Sequence, residues 1–309
     1  MKSYIYKILF FLFPICIIVV ILEFLLINIP NDYTFKKEYL DKNASEIETI
    51  IFGTSHTFAG LRPEYIDGHT FSVAIGNQSL SYDYKIFKKY QNDFKNLKTI
   101  VLAVSYPTLW FRLQDHHKDS SLIFNYEKYY GIDASANIDF RLEILNRPLK
   151  LNYRLIFQYY IKKKPVQISE EFGWGKKITK RSDLSRSGKQ QAKRQTYRDI
   201  NSNVNNIRMN ESIRMLNSII DWSKQNNVNV VLLTTPTHLY YREKLNQEQL
   251  EITIKTATEL ALNNENCMYL NFFNDERFSD DDYRDAHHLN PTGAAKFSKL
   301  VNLQIKEFQ

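Results

Sequence analysis

From Ile8 to Ile29 the chain is almost unbroken hydrocarbon, interrupted by Pro14, Glu23 and Asn28. Read as a helix, these 22 residues extend roughly 30 Å, the thickness of a bilayer core. Lys2 and Lys7 precede the run, a bias that keeps the N-terminus in the cytoplasm. A cleaved signal peptide would have a shorter apolar region ending in small residues, whereas the exit here is Leu26-Ile27-Asn28-Ile29-Pro30. Residues 1–30 are therefore expected to form an uncleaved anchor in the cytoplasmic membrane, with residues 31–309 outside it. Glu23, near the outer end, is expected to reach the headgroups as a snorkelling carboxylate.

The whole chain has the composition of a folded protein: 20 Phe and 20 Tyr among 309 residues exclude a disordered chain. A net charge of +7 suits an acidic polymer or an anionic lipid surface. Without a helix-turn-helix, zinc finger or RNA-reading motif it does not indicate nucleic acid. Two cysteines, Cys16 and Cys267, exclude a disulfide framework, a zinc ribbon and an iron–sulfur site.

Short β-rich runs alternate with helical patterns, which predicts an α/β fold with a parallel sheet and crossover helices. Strands are expected at Glu48–Phe52, Thr70–Ile75, Thr99–Val104, Asn227–Thr234 and Met268–Phe272. Helices are expected at Ser81–Phe94, Glu211–Asn226, Gln247–Asn263 and Thr292–Lys306. A large insertion after the third strand is expected over about 110–208. Its first part is rich in aromatics, and its second, Gly173 to Asn206, carries Lys176, Lys177, Lys180, Arg181, Arg186, Lys189, Lys193, Arg194 and Arg198. That stretch reads as an exposed, mobile basic loop, or as a rim that attracts an anionic polymer or headgroups.

The first strand ends in Phe52-Gly53-Thr54-Ser55-His56, which puts Ser55 at the carboxyl edge of the sheet, where open α/β folds bind ligands. Alone, this serine could equally be a helix N-cap. Near the C-terminus stands Asp285-Ala286-His287-His288-Leu289-Asn290-Pro291-Thr292-Gly293. An aspartate three residues before a histidine can accept its Nδ1–H, fixing the tautomer and leaving Nε2 as the base for a serine hydroxyl. Asn290 or Thr292 can cap the last helix. His238, past the fourth strand, and His56 lie on the same edge, either touching substrate or serving as satisfied polar neighbours. No His-x-Glu-x-x-His spacing or carboxylate-rich cluster points to a metal.

Together, Gly53-Thr54-Ser55 and Asp285-x-x-His288 with Leu289-Asn290-x-x-Gly293 resemble the nucleophile and C-terminal blocks of the SGNH/GDSL hydrolase superfamily. The resemblance covers about Glu48 to the end. It implies a flavodoxin-like three-layer α/β/α sandwich, with Ser55 as nucleophile, His288 as general base and Asp285 as its orienting partner, and no cofactor. The family's second block, here Ser72-Val73-Ala74-Ile75-Gly76-Asn77, implies an oxyanion-hole donor at Gly76 or Asn77. Its third block usually supplies an asparagine, absent from Ala103-Val104-Ser105-Tyr106-Pro107, so Ser105 or Tyr106 is the expected substitute. The Gly-x-Ser-His start resembles the membrane-anchored branch that works on cell-surface polymers. This implies O-acyl, chiefly O-acetyl, transfer to an extracytoplasmic polysaccharide or wall polymer, beside a membrane-bound O-acyltransferase. A carbohydrate acetylesterase and a catalytically weak polysaccharide-binding protein are the alternatives.

Overall fold

A computed structural model of the chain describes residues 2–115, 120–132, 142–176 and 181–308. In chain order the helices are α1 (Lys2–Ile27), α2 (Asp32–Asn43), α3 (Ser55–Gly60), α4 (Leu80–Tyr90), α5 (Ser120–Asn125) and α6 (Glu143–Asn146). They continue with α7 (Leu149–Ile156), α8 (Leu184–Gln195), α9 (Asn203–Gln225), α10 (Leu239–Arg242), α11 (Gln247–Leu262) and α12 (Pro291–Phe308). Strands β1 (Thr49–Phe52), β2 (Thr70–Ser72), β3 (Thr99–Ala103), β4 (Asn229–Thr234) and β5 (Cys267–Asn271) form one parallel sheet in the order β2-β1-β3-β4-β5. Strands β6 (Tyr283–Asp285) and β7 (His288–Leu289) form a separate antiparallel pair.

Chain contacts divide the protein into two units, Met1–Glu38 with His116–Ile168, and Tyr39–Asp115 with Ser169–Gln309. In the first, α1 contains a 24-residue stretch, Tyr4–Ile27, long and apolar enough to cross a membrane. Glu23 departs from the snorkelling expectation. Its carboxylate accepts the N–H groups of Glu143 (2.8 Å) and Ile144 (2.9 Å) and pairs with Lys128 Nζ (2.9 Å). An anion at the first turn of α6 satisfies N–H groups that have no partner within the helix. Leu26, Ile29 and Ile144 cluster beside it, with Leu22, Leu155 and Ile156. Nothing in the sequence marks this pairing, because the partners lie about 120 residues away.

The second unit is built around the sheet. Ile51, Val101, Val231, Leu233 and Leu270 pack with Phe297, Val301 and Ile305 of α12. The alternate residues Ile50, Phe52, Ile100, Leu102, Val230 and Leu232 are equally buried. Both faces are covered, which is why these strands read as continuous apolar runs. The five strands fall where the sequence puts them, within three residues at either end. Helix α9 begins at Asn203, earlier than the expected Glu211, because Ser202 caps it through the Asn205 N–H.

Within the basic stretch, where an exposed loop was one expectation, Leu184–Gln195 forms a helix. In α8, Leu184, Gly188 and Ala192 are buried at four-residue spacing, and Asp183 caps its first turn through the Arg186 N–H. Lys177 and Lys180 lie outside the described residues.

Candidate active site

The turn after β1 presents Ser55. Gly53 adopts φ +130°, and a Cβ there would come within 2.5 Å of the Ala103 Cβ and 2.6 Å of Thr57 Oγ1, so only glycine fits. Its N–H donates to Asp83 Oδ1 (2.9 Å), which fixes the turn from beneath. Thr54 is the N-cap of α3, its hydroxyl accepting the His56 N–H, so Ser55 is the first helical residue and its hydroxyl is left for other partners.

The C-terminal block is a hairpin. β6 and β7 pair so that Asp285 lies across from His288, with Ala286 and His287 forming the connection. This register gives the Asp-x-x-His spacing its meaning, since it turns a carboxylate and an imidazole to the same side. Asn290 Oδ1 accepts the N–H groups of Thr292 (2.9 Å) and Gly293 (3.0 Å), capping α12. A Cβ on Gly293 would meet the Asp282 carbonyl oxygen at 2.2 Å, so a glycine is needed for α12 to approach the hairpin.

The fold brings the two segments together. Ser55 Oγ donates to His288 Nε2 (2.8 Å), and His288 Nδ1 donates to Asp285, 2.9 Å from Oδ1 and 3.0 Å from Oδ2. Arg284 Nε donates to Asp285 Oδ2 (3.2 Å), and the His287 N–H donates to Oδ1 (3.2 Å). Burial alone would raise the Asp285 carboxyl, but the hydrogen bonds from His287 and His288 hold it well below the usual carboxylate range. Burial, reinforced by repulsion from His287, pulls His288 down to about 4 against the attraction of Asp285. The imidazole is therefore neutral at physiological pH, the state that can take a proton from a hydroxyl. Burial and then the charges of His288 and His287 likewise push His56 well down.

The other expected residues take distinct positions. Ile75 N–H donates to the Gly53 carbonyl (3.3 Å), so Gly76 and Asn77 follow directly on a segment tied to the turn that carries Ser55. Asn77 is exposed in the left-handed region at φ +61°, and Gly76 has open space around its Cα. Ser105 contributes no free N–H, because it donates to Thr108 Oγ1 (2.8 Å), with the two hydroxyls 3.1 Å apart. The Tyr106 hydroxyl accepts the Asn246 N–H (3.0 Å) and lies 2.9 Å from Thr196 Oγ1. His238 caps α10, accepting the Tyr240 N–H at Nδ1 (3.2 Å), and its Nε2 lies 2.9 Å from Asp280. Its N–H also donates to the Ala286 carbonyl (2.9 Å), so this histidine braces the hairpin. His56 is buried, with Nδ1 3.1 Å from Thr54 Oγ1 and its ring 5.1 Å from that of His288.

Beside the triad lies a cavity of about 420 Å³, with Ser187, Gln191, Lys193 and Arg194 of α8 on one side and Asp285 and His287 on the other. A wall of hydroxyl, amide and cationic groups suits a polyhydroxylated or anionic ligand. One contributor, Asp83, belongs to none of the sequence blocks. Asp83 lies among Leu80, Phe87 and Tyr90 on the buried face of α4, and an acid in an apolar helical stripe is the signal that would have found it.

The family described as a protein of unknown function, DUF1574, matches residues 159–301. The matched region includes Asp285 and His288 but not Ser55. No curated protein matches the chain.

Proposed function

We propose that this protein is a membrane-anchored serine acyl-ester enzyme of the SGNH/GDSL type that transfers an O-acyl group, chiefly acetyl, to an extracytoplasmic polysaccharide or wall polymer. The observation that carries this reading is the hydrogen-bonded chain Ser55–His288–Asp285 at the carboxyl edge of the sheet. The strand order β2-β1-β3-β4-β5 supports a flavodoxin-like sandwich, whose ligands sit at that edge. In the proposed reaction Ser55 Oγ attacks the acyl carbonyl as its proton moves to His288 Nε2. The leaving group departs with that proton, giving an acyl-Ser55 ester. An acceptor hydroxyl then gives its proton to His288 as it attacks the acyl carbon, and Ser55 leaves by taking that proton back from His288. Asp285 stays ionised throughout, holding the tautomer. Backbone N–H groups at Gly76 and Asn77 are the proposed oxyanion donors. A membrane-bound O-acyltransferase is the proposed source of the acyl group, and α1 the anchor that keeps the two in one membrane.

A serine-directed fluorophosphonate should label the wild type and spare Ser55→Ala; equal labelling of both sinks the proposal. Release from a small aryl acetate should accelerate when a glycan acceptor is added. Release at full rate without any glycan acceptor would point to an acetylesterase. One observation favours a catalytically weak binding protein instead: no asparagine follows β3, and the Ser105 N–H is already used. Losing one oxyanion donor costs about 10²–10³ in rate, so retention of glycan with no labelling of Ser55 would select that reading.

A further inference from the structure

Three imidazoles meet beside Ser55. One ring nitrogen from each of His56, His287 and His288 lies within 4.8 Å of the others, the only such group among the described residues. We infer that these histidines form a reversible binding site for a borderline-soft divalent cation such as Zn²⁺, and that cation bound there withholds the base from the serine. The binding claim stands on the cluster alone, while its consequence rests on the reading of Ser55 as a nucleophile.

The donor set suits zinc, which accepts neutral imidazoles in tetrahedral geometry at about 2.0–2.1 Å. Such a site separates its nitrogens by about 3.4 Å and its ring centres by about 5 Å. The ring centres of His56 lie 5.1 Å from those of His288 and 5.5 Å from those of His287, while His287 and His288 are 3.8 Å apart. Closing the set therefore takes movements of about an ångström, within the reach of side-chain rotation.

A second observation is independent of proximity. His56 Nε2 is buried with no hydrogen-bond partner among the described residues, an expensive state for a polar atom. His288 Nδ1 and His56 Nδ1 have the outer partners that orient metal-binding histidines, while His287 Nδ1 lies close to a carboxylate but, like His56 Nε2, is buried without a hydrogen bond. His288 Nδ1 is on Asp285, His287 Nδ1 lies 2.9 Å from Asp285 Oδ1, and His56 Nδ1 lies 3.1 Å from Thr54 Oγ1.

Two features set the character of the site. Arg284 shares Asp285, so its positive charge offsets the carboxylate and weakens cation binding. His288 Nε2 already holds the Ser55 hydroxyl, so metal and serine compete for one lone pair. Both favour a reversible, inhibitory site over a permanent structural one. The competing explanation for the orphaned nitrogen is a single water, since a cavity of about 10 Å³ lined by His56, Ser105 and Thr235 adjoins the ring.

The test uses the full chain in detergent, without a histidine tag, titrated with Co²⁺ and followed by the visible absorption of a four-coordinate imidazole site. One equivalent should bind. His56→Ala and His287→Ala should each weaken binding at least tenfold, while Ser55→Ala should retain it. Replacing both His116 and His117, a neighbouring pair in sequence, with Ala should leave the titration unchanged. Zn²⁺ should slow fluorophosphonate labelling of Ser55 more than tenfold in the wild type, reversibly with chelator, and far less in His56→Ala. Absence of a cobalt spectrum, or a spectrum that survives both histidine substitutions, overturns the site and leaves the cavity water as the partner of His56. A cobalt spectrum with unchanged labelling overturns the competition. If Ser55 is unlabelled even without metal, the ester reading fails while the cobalt titration still decides the site. Two histidine variants are used so that a folding defect in one, seen in its melting temperature, leaves the other to judge.

Discussion

Asp285 accepts from the His287 backbone N–H and from His288 Nδ1, and Arg284 steadies its second oxygen, so one buried carboxylate anchors this corner. If Ser55, His288 and Asp285 act as a unit, their losses will not add. Ser55→Ala and His288→Ala should each lower turnover of an aryl acetate by about 10⁴-fold or more, and the double variant little further. Asp285→Asn should be less damaging than either. An intact His288→Ala with a dead His287→Ala would assign the base to the neighbouring ring. A second residue-scale prediction concerns Asp83, whose carboxyl burial pushes up to about 7 against the hydrogen bonds from Gln78 and Gly53. The folded protein keeps a proton that the unfolded chain releases near pH 4, so stability falls as pH rises from about 4 to about 7 and then levels off. The shift from 3.8 to about 7 corresponds to on the order of 4 kcal/mol. Asp83→Asn keeps an oxygen for the Gly53 N–H and cannot ionise, so its melting temperature should fall less than that of the wild type between pH 4 and 8. Parallel curves in a thermal scan would show that Asp83 ionises freely in the fold.

Elements explain which of these features could be read in advance. The central strands β3 and β4 were legible because burial on both faces demands near-continuous Val, Ile and Leu. The triad was legible because the β6–β7 pairing converts an aspartate and a histidine three apart into partners across a hairpin. Helix α8 was hidden, since its buried stripe consists only of Leu184, Gly188 and Ala192 amid Ser, Gln, Lys and Arg. Its composition states solubility, and only packing reveals that it walls the cavity beside Asp285. The histidine cluster was hidden for a different reason: His56 is more than 200 residues from the other two, so spacing carries no trace of it. The position of α8 gives an element-scale prediction. Replacing Lys193 and Arg194 with Gln removes two charges from the cavity wall while leaving Leu184, Gly188 and Ala192 in place. The apparent KM for an anionic glycan acceptor should rise several-fold, and turnover of a small neutral ester should stay within about twofold. Raising salt should erase the difference, because exposed charges are screened beyond about 10 Å at 0.1 M. Loss of the neutral ester would mean that α8 supports the triad; no change in either would leave these charges as solvated surface.

On the scale of the molecule, the apolar stretch Tyr4–Ile27 decides where any chemistry can happen. A span of 24 residues at 1.5 Å per residue reaches about 36 Å, enough to cross with some tilt. Lys2 and Lys7 before it favour a cytoplasmic N-terminus, while Lys36 and Lys37 beyond it pull the other way. The proposed substrate adds a constraint: a surface polymer would be reachable only if Ser55 lies outside. Protease added to cells stripped of their outer layers should therefore digest the chain beyond about residue 30 and leave a short membrane-protected fragment containing Tyr4–Ile27. Protection of the whole chain would put the triad in the cytoplasm and remove extracytoplasmic polymers as its substrate. A soluble product beginning beyond Ile27 would show that the stretch is cleaved. In that case the carboxylate that caps α6 would be lost with it, because Glu23 sits inside the span. Glu23→Ala in the uncleaved protein then isolates that contribution: removing an anionic cap on two backbone N–H groups should cost about 1–2 kcal/mol locally. The variant should show faster amide exchange at Glu143 and Ile144, with the protected fragment unchanged in length.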